Sequence, residues 1–228
     1  MTRLLCTLML LIAVPTALAL EDPAEQPKDK DKTANPQVKM VTSLGEIIIE
    51  LDAEKAPIST ENFLAYTGDK FYDGVIFHRV ISTFMIQAGG FDADFKRKSE
   101  GLKPPIKNEW QNGLKNVRGT IAMARTPAPD SATSQFFINV KANPMLDAPR
   151  GGAAYAVFGK VVEGMDVVDK IRDVETHRRP GFGNPREKAV PVETVVIKSV
   201  RVVGEENETK PEPTAEKKTE KTPDDDGE

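Results

Sequence analysis

Phe77-His78-Arg79-Val80-Ile81, then Phe84-Met85-Ile86-Gln87, sets one cation and one amide among large apolar residues on two short strands. Successive side chains of a strand point to opposite faces. Alternation from Val75 to Ile81 therefore puts Val75, Phe77, Arg79 and Ile81 on one face and Ile76, His78 and Val80 on the other. Arg79 shares a face with hydrophobes. A guanidinium so placed needs a partner, or a site that a ligand completes, because an uncompensated buried charge is costly. The plainer reading is a rim arginine that snorkels to water or is held in a structural ion pair.

Outward from this block, Val38 to Ser43 and Glu46 to Leu51 are β-rich runs around a Leu44-Gly45 turn, which reads as a hairpin. Further strands are expected at Phe84 to Ala88, Gly119 to Ala124, Gln135 to Val140, Ala156 to Val162 and Val192 to Val203. Pro57 to Tyr66 reads as a helix with proline in its first turn and with Ile58, Phe63, Leu64 and Thr67 along one side. Met165 to Val174 is a second short helix, with Val168 and Ile171 three apart. Gly89 to Arg118 has few strand signals, and so long a connection is usually functional or mobile. Pattern alone gives a β-rich domain. Eight strands and two helices suit a closed eight-stranded antiparallel barrel capped by two α-helices.

Three downstream blocks, Gly119-Thr120-Ile121-Ala122-Met123-Ala124-Arg125, Ser134-Gln135-Phe136-Phe137-Ile138-Asn139-Val140 and Tyr155-Ala156-Val157-Phe158-Gly159-Lys160-Val161, follow the first. Together the four blocks resemble the cyclophilin-type peptidyl-prolyl cis/trans isomerases in motif and order, from about Val38 to Val203. Met123-Ala124-Arg125-Thr126 and Asp130-Ser131-Ala132-Thr133-Ser134-Gln135 are most similar to the bacterial exported branch. The resemblance implies the same barrel and an enzyme that needs no cofactor and no metal. Its substrates are proline-containing polypeptides, whose X-Pro amides it rotates to assist folding. On these relatives' pattern Arg79 is the catalytic cation, directed at the prolyl nitrogen. Phe84, Met85, Phe137 and Leu146 enclose the pyrrolidine ring, Tyr155 closes the edge, Gln87 holds the substrate backbone, and the main chain at Ala124 and Arg125 pairs with an extended peptide.

Several residues depart from that pattern. Met145 replaces the tryptophan of cyclosporin-sensitive members and cannot donate its indole hydrogen bond, so weak cyclosporin binding is implied. Tyr155 replaces histidine and Arg125 replaces asparagine. Ala88 stands where glycine is usual, and Ser82-Thr83 replaces a Pro-Gly turn.

The two ends differ in composition from the middle. Arg3, the apolar run Leu4 to Val14, Pro15 and Ala17-Leu18-Ala19 read as a secretory signal spanning residues 1–19. The run is well short of the roughly 20 residues that span a bilayer, although an uncleaved anchor over Leu4 to Leu20 is the alternative. Residues 20–37 form a charged flexible spacer, 38–204 the isomerase domain, and 205–228 an acidic tail with ten carboxylates against four lysines. These ends are more negative than the whole chain's net charge of −4 and leave the middle slightly basic, which argues against nucleic acid as a partner. Cys6, the one cysteine, is lost with the signal, so disulfides and thiol chemistry are excluded from the mature chain. An exported, periplasmic monomer without stable membrane insertion is the expected form.

Two other functions compete with catalysis of isomerisation. A binding module could hold proline segments without turnover, but the presence of Arg79 argues against it. A serine hydrolase using Ser131 or Ser134 lacks a Gly-x-Ser-x-Gly elbow, and two separated histidines offer little to a triad or a metal. His78, out of phase with Arg79, reads as structural, and His177 falls in a polar loop.

Overall fold

The computed structural model describes residues 35–180, 182 and 187–204. The segment read as a signal, 1–19, most of the expected spacer and the expected tail 205–228 lie outside the described residues. Gln37, assigned to the spacer, already belongs to the first strand.

The expected hairpin is present as β1 (Gln37–Thr42) and β2 (Gly45–Leu51), paired Val38 to Ile49 and Met40 to Ile47. Thr42 closes its turn, donating from Oγ1 to the Gly45 carbonyl (2.8 Å) and accepting from the Leu44 amide (3.1 Å). The remaining strands are β3 (Arg79–Ile81), β4 (Met85–Ala88), β5 (Thr120–Met123), β6 (Phe136–Asn139), β7 (Val157–Glu163), β8 (Thr176–His177), β9 (Val190–Pro191) and β10 (Ile197–Val202). Eight of these form one antiparallel sheet in the order β10-β1-β2-β7-β5-β6-β4-β3, and β8 pairs with β9. Gly159 lies where β7 crosses β2, and a side chain there would meet the Glu50 carbonyl at 2.5 Å.

The closed barrel expected from the sequence is replaced by a curled, open sheet. No ladder joins its end strands β3 and β10. The ends are instead stitched just before β3, by a bridge between Ile76 and Val196 and by bonds from the amides of Gly74 and Phe77 to the carbonyls of Ile197 and Val195. The Ile197 amide returns one bond to the Val75 carbonyl. The physical reason is a break in the strand expected over Val75 to Ile81. Residues 77 and 78 leave the ladder, and the pleat changes phase. Val75, Phe77 and Val80 all pack into the main core, whereas Ile81 packs on the other side of the sheet. Arg79 therefore does not share a face with Val75 and Phe77.

Helix α1 (Pro57–Gly68) buries Phe63 and Tyr66 in an aromatic cluster with Phe71, Tyr72, Phe136 and Phe158. Its buried side differs from the expected one. Ile58 is exposed and Leu64 half-buried, while Ser59, Thr60 and Asn62 are buried. Hydrogen bonds compensate two of these polar groups, from Asn62 Nδ2 to the Thr133 carbonyl (2.8 Å) and from Ser59 to Glu109 (2.7 Å). Helix α2 (Met165–Arg172) buries Val167, Val168 and Ile171 as a conventional amphipathic helix.

Candidate active site

The pleat of four adjacent strands builds the site. Arg79 lies opposite Gln87 across β3 and β4, Gln87 opposite Phe137 across β4 and β6, Phe137 opposite Ala122 across β6 and β5, and Ala122 opposite Val157 across β5 and β7. Directly paired residues share a face, so these five form one row across the sheet. Ile81 and Met85 form the row beside it. The same strands send Val80, Ile86, Ile121, Phe136 and Ile138 to the opposite face and the main core. Both faces are consequently apolar, and the second carries its own cluster of Met85, Ala122, Phe137, Leu146 and Val157.

Over that cluster opens a cleft of about 190 Å³, lined by Arg79, Phe84, Met85, Gln87, Ala124, Arg125, Phe137, Leu146 and Tyr155. All nine residues singled out in the sequence converge there. Met85, Phe137 and Leu146 are buried as its floor, and Phe84 and Tyr155 stand half-buried at its edges. Tyr155 meets Phe137 edge-on, with ring centroids 5.7 Å apart. Met145 is 45% exposed and does not line the cleft, although its neighbour Leu146 does.

Buried amides fix the walls. Asn143, in the approach to the single 3₁₀ turn Pro144–Leu146, donates from Nδ2 to the Phe84 carbonyl (2.8 Å) and to Asn139 Oδ1 (2.7 Å). Asn139 donates to Asn116 Oδ1 (3.0 Å), and Asn116 to Asp147 (2.8 Å) and the Tyr155 carbonyl (3.3 Å). One polar chain thus ties together the backbone of Phe84, the turn that carries Leu146, and Tyr155. All three side-chain amide groups donate within the network, while Asn143 Oδ1 has no partner among the described residues, so the rigidity that suits a preformed pocket comes from the donors.

The cleft's polar groups are partly committed. Gln87 donates from Nε2 to Gln135 Oε1 (2.9 Å), and the Ala124 amide donates to the Gln135 carbonyl (3.0 Å). The Arg125 guanidinium is spent on main-chain carbonyls, Thr126 (2.9 Å), Arg150 (2.9 Å), Ala153 and Ala154 (3.1 Å) among them, and stacks 4.9 Å over Tyr155. Its side chain clamps the loops around the cleft. Arg79 satisfies both readings given to it. It lines the cleft, with Nη1 at 3.9 Å from the Met85 sulfur, and its Nη2 donates to Glu187 Oε2 at 3.0 Å. His78 is 6% exposed and packs on Phe91. Burial drives its pKa down to about 4, with the Arg79 charge adding to the fall and a backbone hydrogen bond at Ile76 opposing it. It is neutral at pH 7, and its Nδ1 has no hydrogen-bond partner among the described residues.

Sequence reasoning missed Glu187, Gln135 and the three asparagines. Asn139 carried a signal, a polar residue in the apolar run Phe136 to Val140. Glu187 carried none, because it pairs across 108 residues. A second cleft of about 330 Å³ shares none of the nine residues. It mixes Glu50 and Asp52 with Lys55, Lys115 and Lys160, a lining poorly suited to an apolar ring.

A cleft with an apolar floor, the Arg79 cation at its rim, a second guanidinium already taken up by main-chain carbonyls, and main chain along its edge defines a site for a short peptide. Comparison with known proteins narrows that class. The family model for "Cyclophilin type peptidyl-prolyl cis-trans isomerase/CLD" matches residues 37–202. A peptidyl-prolyl cis-trans isomerase of Acinetobacter baylyi is 56% identical over 167 residues, covering 73% of this chain and 88% of that protein. Peptidyl-prolyl cis-trans isomerase B of Escherichia coli is 52% identical over 164 residues, covering 71% and 96%. A crystal structure of a Cryptosporidium parvum cyclophilin superposes with a TM-score of 0.59 over 74% of this chain and 97% of that one, at 24% identity, and shows the shared fold. This chain belongs to the cyclophilin-type peptidyl-prolyl cis-trans isomerases.

Proposed function

We propose that this isomerase accelerates X-Pro rotation in exported proteins by seating the proline ring on Phe84, Met85, Phe137 and Leu146 while Arg79 stabilises the twisted amide. Resonance opposes that rotation with a barrier of about 18–20 kcal/mol. No bond is broken. Twisting removes C–N double-bond character, makes the amide less dipolar, and localises a lone pair on the prolyl nitrogen. An apolar floor favours the less dipolar species, and a guanidinium at the rim can donate to the localised lone pair. Both interactions are stronger in the transition state than in the ground state, which is the requirement for catalysis. Tyr155 closes the edge and Gln87 holds the substrate backbone. Because the Ala124 amide is already used, an extended peptide pairs through the Ala124 carbonyl and the Arg125 amide.

The observation that carries this reading is the placing of the Arg79 guanidinium beside a floor of three buried apolar side chains, while the cleft's other guanidinium, that of Arg125, is occupied by main-chain carbonyls. A charge-assisted hydrogen bond contributes about 1.5–3 kcal/mol, equivalent to one or two powers of ten in rate. Arg79→Ala should therefore lower kcat/KM on an Ala-Pro peptide by about 10- to 100-fold, with thermal unfolding unchanged. Exchange NMR measures that rate directly. Equal turnover by mutant and wild type would remove Arg79 from the mechanism.

The signal-like N-terminus supports a periplasmic enzyme, and one chain carries all nine residues of the cleft. N-terminal sequencing of the cell-derived protein separates cleavage after Ala19 from an uncleaved tether.

A further inference from the structure

We infer that Glu187 is a positioning residue, whose carboxylate holds the Arg79 guanidinium in its working orientation over the cleft. The inference rests on the catalytic reading of Arg79.

The segment that carries Glu187 is docked along β3. The Val80 amide donates to the Ala189 carbonyl (2.6 Å), Ala189 donates to the His177 carbonyl (3.2 Å), and Thr176 Oγ1 donates to the Lys188 carbonyl (3.0 Å). The β8–β9 pair continues the attachment. Ala189 is thus fixed against Val80, and Glu187, two residues earlier in the same segment, reaches Arg79, the residue that precedes Val80. The two side chains are 26% and 36% exposed, so the contact forms at the cleft's rim.

Arg79 lies on an end strand and has few other constraints. Its remaining described contacts are the Met85 sulfur at 3.9 Å, a weak acceptor, and the Phe84 ring at 6.0 Å. A guanidinium is planar and delocalised, so one fixed Nη2–H bond sets the direction of the whole fork. Pairing through one Nη2 N–H leaves the second Nη2 N–H, Nε and the weakly engaged Nη1 as donors for substrate. A carboxylate also offsets the cation's charge and in principle could weaken it as a catalyst, so the sign of the effect decides between positioning and masking.

The full chain is tested with Glu187→Ala, Glu187→Gln and Arg79→Ala, singly and combined, on an Ala-Pro peptide. Glu187→Ala should lower kcat/KM about three- to tenfold through kcat, with KM within about twofold, as expected for an orienting contact near the surface. Glu187→Gln keeps an acceptor for the same N–H and should recover most of the loss. In the Arg79→Ala background Glu187→Ala should change nothing further, since the cycle isolates their coupling. Side-chain NMR gives a second readout, in which the Arg79 Nε resonance of the wild type should shift or broaden in Glu187→Ala. An unchanged or higher rate in Glu187→Ala, or the same loss with Arg79 absent, overturns the inference. Full activity in Arg79→Ala instead overturns the reading on which it rests, and the two failures are distinct. Should Glu187→Ala fold poorly, Glu187→Gln and the resonance of Arg79 still decide the matter.

Discussion

His78 precedes the arginine of the cleft and makes the chain's stability depend on pH. Its imidazole is buried and neutral, with its pKa brought from the ordinary 6.5 down to about 4, mainly by loss of water. The folded state thus refuses a proton that the unfolded chain accepts. Between about pH 6.5 and pH 4 the unfolded state binds more protons, so stability rises with pH in that window and is lost as pH falls through it. The loss from pH 7 to pH 4 should reach about 3 kcal/mol. Asp166 and Asp169, both held below the ordinary carboxylate value chiefly by hydrogen bonds to Lys170 and Arg118, titrate below this window. His78→Phe keeps a ring against Phe91 and should flatten the dependence. Urea unfolding of both proteins from pH 7 to pH 4 measures it, and parallel curves would show that His78 is not the group responsible. Catalysis needs no proton transfer, so this histidine acts on the scaffold and not on the reaction.

At the scale of elements, helix α1 begins with Pro57 in its first turn but with no capping side chain of its own. Ala56 at its N-cap has no side chain to accept the free amides, and no acidic residue occupies the first turn. Glu109 supplies both functions from the long connection, accepting from the amides of Ile58 (3.0 Å) and Ser59 (2.8 Å) and from Ser59 Oγ (2.7 Å). Glu109→Ala should cost about 1–2 kcal/mol, or about 2–4 °C in Tm for each kcal/mol. Thermal unfolding tests this, and an unchanged Tm would mean that water caps the helix equally well. The same contact explains what the sequence concealed. Strands β4 to β6 were legible because both of their faces are apolar and because the resemblance fixed their order, and with them came Met85, Gln87 and Phe137, the other six cleft residues following from the resemblance. The buried side of α1 was not, since Ser59 and Asn62 are inside only through partners 50 and 71 residues away. Residues 89–118, read as a long connection of the functional or mobile kind, serve as a strap. Asn108 and Asn112 tie it to the Ala154 and Val157 carbonyls (3.1 and 2.8 Å). The β8–β9 pair, two residues to a strand with a proline included, is too short to leave a periodic signal.

Across the whole molecule, the sheet's open seam and the cleft share one strand. β3 is the end of the ladder, it carries Arg79, and it meets β10 only through the stitches around Ile76 and Val196. Asp73 and Arg201 add a bidentate pair at that junction (2.9 and 2.6 Å), about two-thirds buried at both ends and therefore worth more than a fully exposed one. Inside the ladders each strand is held on both sides, so opening them requires global unfolding. At the seam, separation breaks only a few bonds, and the core residues that it uncovers are those of the seam itself, Val75, Phe77, Val195 and Ile197, so it should occur as a local event of lower free energy than global unfolding. Native-state hydrogen exchange should accordingly show the amides of Gly74, Phe77 and Ile197 exchanging through a common opening, well below the stability reported by the amides of Ile47 and Ile49 in β2. Asp73→Ala should bring that seam opening down further while leaving β2 amides unaffected. Equal protection at the seam and in β2 would mean that the stitches act as a full ladder and that the sheet behaves as closed. If the seam does open, Arg79 moves with β3 while Phe137 and Leu146 stay fixed on the interior strands and the asparagine network, so seam-opening variants should lower kcat before they lower Tm.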